Sequence, residues 1–71
     1  MRSTWKRLVG RQVVVTMVSS TGEQTITGTV DEADSDAIAL VGAETITGAP
    51  VDGRLWIPTG RIVTVQEPSW P

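Results

Sequence analysis

The sequence predicts a mainly β domain: a small, strongly bent, five-stranded barrel with a short N-terminal helix and an extended C-terminal tail. Two observations predict it. Val, Ile and Thr supply 10, 5 and 10 of the 71 residues, and these β-branched side chains are stiff at χ1 and fit a pleated surface better than a helix. A clean two-residue alternation over 24–33 places Ile26, Gly28 and Val30 on one face and Thr25, Thr27 and Thr29 on the other. Gly28 inside that segment marks a sharp bend or a close backbone approach, and bent strands are what a small barrel needs to close. A hydrophobic content of 39% with 20% charged residues suits a folded domain and not a disordered chain.

At the N-terminus, the Ser3 hydroxyl can cap a helix of about two turns. Trp5, Leu8 and Val9 then share one face, and Gly10 supplies the left-handed residue at its end. So short a helix is not stable alone and needs a surface beneath Trp5. The first strand covers 12–19 and is apolar on both faces in its middle. Ser20-Thr21-Gly22-Glu23 forms a turn, with Gly22 free to take a positive φ. The second strand covers 24–33. A solvated acidic turn follows, from Asp31 to Asp36. The third strand is Ala-Ile-Ala-Leu-Val at 37–41, with Ile38 and Leu40 inward. Residues 42–53, bearing Gly, Ala and Pro, form a long connection with an extended stretch at 44–47. Its Glu44-Thr45-Ile46-Thr47-Gly48 echoes Gln24-Thr25-Ile26-Thr27-Gly28, but two copies do not make a repeat architecture. The fourth strand is Arg-Leu-Trp-Ile-Pro at 54–58, with Leu55 and Ile57 inward and Trp56 outward; Pro58 lacks an N–H and ends its ladder. Thr59-Gly60 is a very tight turn, and 61–65 is the fifth strand. One domain therefore spans 1–66, and 67–71 is a Pro- and Trp-bearing tail.

The composition excludes most chemistry. There is no Cys, His, Tyr, Phe or Asn, which removes disulfides, thiolate metal sites, the commonest general base and the Ser-His-Asp and Cys-His mechanisms. Asp34 and Asp36 have part of a calcium-loop spacing, but its Gly and closing Glu are missing. No catalytic residue, cofactor, metal or small-molecule substrate is expected, and 71 residues leave little room for a water-excluding pocket. No apolar run is long enough to span a membrane, and Leu8-Val9 is too short for a signal peptide. Cytoplasmic synthesis without export is the expectation. A chain of this size buries only about 60% of its unfolded surface. With disulfides and metals set aside, partner chains are the remaining support.

Charge is segregated behind a net of −2. Residues 1–11 carry Arg2, Lys6, Arg7 and Arg11 and no acid; residues 12–52 carry seven acids and no base. A basic end beside an acidic body suits contact between copies. The alternative is that the basic residues are merely solvated.

Leu8-Val9-Gly10-Arg11-Gln12-Val13-Val14-Val15 resembles the opening of the Sm/LSm-like family, a branch of the SH3-like small barrels. Gly22 and Gly28-Thr29-Val30 match the spaced glycines of that family's first segment, and Asp34 through Leu40 its close. Leu55-Trp56-Ile57 through Ile62 and Val65 resemble its second segment, so the likeness covers 3–66. The resemblance implies a barrel whose exposed edge strands pair with those of neighbouring copies. It does not carry over the uridine site: Asp34-Ser35-Asp36-Ala37 has no Asn and no adjacent aromatic to stack a base, and Thr59-Gly60 stands where the family has Arg-Gly.

The functional expectation is a non-enzymatic structural module acting through protein–protein contacts with copies of itself or a larger assembly. A small phage virion component, such as a minor capsid, decoration or head–tail connector protein, is its concrete form, drawn by analogy. The partner-binding candidates are Trp5, Trp56 and Trp70, the only aromatics, since large rigid aromatics anchor interfaces. The opposing expectation is that Trp5 and Trp56 close the ends of the barrel. The second function is a ring-forming, Sm-like RNA-binding protein using Arg54, Arg61, Lys6 and Arg7, placed second by the acidic body and the missing Asn; against duplex DNA, six cations spread this way make a poor phosphate footprint.

Overall fold

A computed structural model describes residues 5–68. The chain is mainly strand. A 3₁₀ turn, Trp5–Leu8, leads into β1 (Gln12–Ser19), β2 (Gly22–Ala33), β3 (Ala37–Thr45), β4 (Pro50–Val51), β5 (Leu55–Pro58) and β6 (Ile62–Gln66), with a second 3₁₀ turn, Thr59–Arg61, before β6. The strands form one antiparallel sheet in the order β4-β3-β2-β1-β6, and β5 also pairs with β3.

Six strands stand where five were expected, and the sheet is not closed: β5 and β6 are joined by the Thr59–Arg61 turn without a ladder between them. The sixth strand comes from the 42–53 connection. Gly42, at φ +60°, sits where β3 spends three residues against two on β2, the geometry of a bulge with a left-handed Gly. The bulge returns Ala43 to the interior, so β3 runs on to Thr45 rather than stopping at 41. The chain then turns back and lays Val51 and Pro50 against Ala43 and Glu44. β3 thus carries β5 on its first half and β4 on its second.

Two further register shifts bend the sheet. One leaves Asp31 as the extra residue of β2 and the other leaves Val63 as the extra residue of β6. Gly28 makes the close approach: a Cβ built there would lie 3.2 Å from the Ala43 Cα and 3.3 Å from the Leu40 Cβ.

The interior is wholly aliphatic. Val13 and Val15 of β1, Ile26 and Val30 of β2, Ile38, Leu40 and Ala43 of β3 and Ile57 of β5 form the core, and no described polar side chain is buried with them. β6 adds only the half-buried Ile62 and Val65.

The expected two-turn helix is a single 3₁₀ turn. Three residues per turn put Trp5 and Leu8 on one side, and both pack on the core, while Val9 turns outward and is 48% exposed. Gly10, at φ +86°, ends the turn and donates its N–H to the Val30 carbonyl. Val30 in turn donates to the Arg11 carbonyl, at 2.9 Å. These bonds tie the basic segment to the later part of β2. The Ser3 cap and Trp70 lie outside the described residues. No described helix is long and apolar enough to cross a membrane.

Candidate functional site

Among the described residues, four stretches of the sheet have no strand along one side. β6 pairs with β1 alone, so one whole side of Ile62–Gln66 has no strand partner among the described residues. β4 and β5 pair with β3 alone. β2 pairs with β3 only from Ile26 onward, so the side of residues 22–25 facing away from β1 has no strand partner. An open edge is a row of N–H and C=O groups able to template another strand.

The open edges differ in chemistry. β6 reads Ile-Val-Thr-Val-Gln and contains neither a charge nor a proline. Its bulge residue Val63 is 50% exposed. The β5 edge ends at Pro58 and presents Trp56, which is 48% exposed. Trp56 stands in register beside Ala39, and Ala39 beside Glu32 on the next strand. Ala39 is fully buried although it lies on the face opposite Ile38 and Leu40, as expected for a methyl group flanked by two longer side chains.

Arg54 precedes Trp56 by two residues and is held by acids. Its guanidinium lies 2.9 Å from an Asp31 carboxylate oxygen and 3.1 Å from one of Glu32. The Asp31 bulge brings these neighbouring carboxylates to one cation. All three side chains are substantially exposed, so the fork orients the Arg54 side chain more than it stabilises the fold. Arg11 pairs with Glu67 at 3.1 Å, again in solvent. Lys6, Arg7 and Arg61 are exposed and enter no ion pair among the described residues.

The acidic turn after β2 organises itself. The Asp34 carboxylate accepts N–H bonds from Asp36 at 2.7 Å and Ala37 at 2.9 Å. These two bonds favour its charged form and hold it below the ordinary 3.8, with the nearby Lys6 charge acting in the same direction. The Thr59 hydroxyl donates to the Ser35 carbonyl at 2.8 Å and its N–H to the Asp36 carbonyl, fastening this turn to the one before β6.

Two surface depressions are relevant. Trp5, Leu8 and Val65, flanked by Arg7 and Glu67, line a hollow of about 340 Å³ between the N-terminal turn and β6. A larger notch, about 500 Å³, lies at the other end of the hairpins, where the open stretch of β2 (Glu23, Gln24, Thr25) meets Thr45, Ile46, Thr47 and Ala49. The Thr45 N–H donates to the Ala49 carbonyl and the Gly48 N–H to the Thr45 carbonyl, both at 2.9 Å. That turn holds Ile46 outward, 79% exposed. The two echoed pentapeptides thus lie side by side at the notch, with Ile26 in the core and Ile46 in solvent.

Among the sequence-selected residues, Trp5 and Arg7 meet at one hollow, while Arg54 and Trp56 share β5 and its approach. Arg61 stands apart in the second 3₁₀ turn. Sequence reasoning missed Val63, Ile46 and the open end of β2. The only signal for Ile46 was a large apolar residue inside a segment otherwise rich in turn formers. Val63 was hidden because the bulge places Ile62 and Val65, three apart, on the inner side.

No family model, no curated protein and no solved structure matches this chain.

Proposed function

We propose that this protein is a non-enzymatic assembly module that joins to other protein chains, copies of itself first, by strand addition along its open edges. The observation that carries the reading is β6, a half-exposed, uncharged, proline-free edge strand. Folded proteins blunt such edges with charge, proline, a bulge or a covering segment; β6 has the bulge at Val63 but no charge and no proline, which leaves Thr64–Gln66 suited to a partner strand. Trp56 on the β5 edge offers the large apolar anchor that such a contact uses. The finer architecture we infer is an open SH3/Sm-like barrel. Its support is a meander in which β5 and β6 form opposite edges joined by one 3₁₀ turn. The setting we attach is a small virion component, on the analogy of bent β domains with extended tails. For the RNA reading, Arg54 is engaged by Asp31 and Glu32, while Lys6, Arg7 and Arg61 enter no ion pair among the described residues.

Val63→Lys tests the reading, because it places a charge on the open edge at an exposed bulge position without touching the core. Sedimentation at tens of micromolar should show the wild-type chain above its 7.6 kDa mass and the variant at that mass, with matching circular dichroism. A wild-type chain that stays at 7.6 kDa up to millimolar concentration overturns the proposal.

A further inference from the structure

We infer that copies of this chain also contact one another head to tail, the basic N-terminal turn of one seated on the acidic notch of the next. The inference rests on the assembly reading; the notch lies away from the β5 and β6 edges, while the N-terminal surface borders β6, since Arg7 lines one hollow with Val65 and Glu67. Its basis is the placement of charge and exposed apolar groups at opposite ends of one strand. The N-terminal turn immediately precedes β1, and the notch lies beside the start of β2, which pairs with the far end of β1. Glu23 stands beside Val18, six residues along β1 from Gln12, or roughly 20 Å. The first surface presents Lys6 and Arg7, exposed and without ion pairs among the described residues, beside the half-exposed Val9, with Asp34 near Lys6 and Glu67 lining the same hollow as Arg7. The second presents Glu23, among the described residues the one charged group lining the notch, and the exposed Ile46, with the exposed Glu44 just outside the lining, next to Thr45. No basic residue occurs from 12 to 52, so nothing on that stretch of chain neutralises the notch.

A second copy is therefore the occupant the charges select: cations and an apolar side chain on one end, anions and an apolar side chain with a hollow on the other. The two surfaces differ, so the contact is heterologous and propagates into a ring or a stack rather than a closed pair. A two-fold arrangement of notch on notch would instead set Glu23 and Glu44 against their own copies. Patches this small fall below the roughly 1,200 Å² of a standard interface. The contact is consequently weak alone and gains from the multivalency that edge pairing supplies.

Charge reversal tests it. Glu23→Lys with Glu44→Lys makes one variant, and Lys6→Glu with Arg7→Glu another; the altered side chains are exposed, and circular dichroism verifies their folds. Light scattering at low salt should show each variant associating about tenfold more weakly than wild type. An equimolar mixture should regain wild-type association, because each reversed surface then meets its complement. If the wild-type chain assembles and either variant assembles equally well, or the mixture fails to recover, the head-to-tail contact is wrong while edge pairing stands. If the wild-type chain and Val63→Lys are both monomeric throughout, the assembly reading itself falls.

Discussion

Gly28 shows how tightly this small interior is set. It sits in β2 opposite Val13, and the space a side chain would need is taken by Ala43, whose Cα would lie 3.2 Å from a new Cβ. Two effects compete in Gly28→Ala. Removing Gly from a strand lowers the entropic cost of folding by roughly 0.5–1 kcal/mol. Against that, the contact is with backbone, next to the Gly42 bulge, and backbone cannot rotate away. The clash prevails: Gly28→Ala should cost about 1 kcal/mol and Gly28→Val about 3 kcal/mol, within the range seen for overpacked cores. In a domain of this size each kcal/mol lowers Tm by roughly 4–8 °C, so thermal unfolding reads both. A Gly28→Val variant as stable as wild type would mean that β2 and β3 are not held this close.

At the level of elements, the inward sets of the strands were legible in the sequence. Ile26, Gly28 and Val30 of β2, Ile38 and Leu40 of β3 and Ile57 of β5 are all buried, and Trp56 points outward, because alternation is a strictly local signal. What stayed hidden were the bulges at Asp31, Gly42 and Val63, since each arises from the registry of two strands far apart in sequence. They explain why β3 outruns its expected end and why Val63 is exposed, and they bring Asp31 and Glu32 together on Arg54. The ion pairs of Arg54 and Arg11 were equally invisible, being products of that registry. The 45–49 turn is the element on which the notch depends. The Thr45 hydroxyl accepts the Ala49 N–H at 3.2 Å and lies 3.0 Å from the Thr47 hydroxyl. Thr45→Val keeps the branched shape and removes the acceptor, at a cost of roughly 0.5–1.5 kcal/mol. Hydrogen exchange should show the Ala49 amide opening several-fold faster while those of Val13 and Val15 keep their protection. Unchanged exchange at Ala49 would mean the backbone bonds alone hold the turn.

Across the whole molecule, the balance is between a thin aliphatic core and a long open rim. The core holds eight clustered side chains, none polar, and β6 contributes nothing fully buried to it. β6 is therefore the strand whose docking gains least from the interior and most from a neighbour along its free side. If a neighbouring chain completes that side, it binds the folded state and not the unfolded one, and stability must rise with protein concentration by mass action. A concentration a hundredfold above the dissociation constant corresponds to about 2.7 kcal/mol, or a rise in Tm of roughly 10–20 °C for a domain this small. Calorimetry from micromolar to millimolar should show that climb in the wild-type chain. Val63→Lys should melt at one temperature throughout, matching the dilute wild type. A concentration-independent Tm in both would mean that a sheet open along β6 is self-sufficient, and the rim would then owe its lack of charge to nothing it binds.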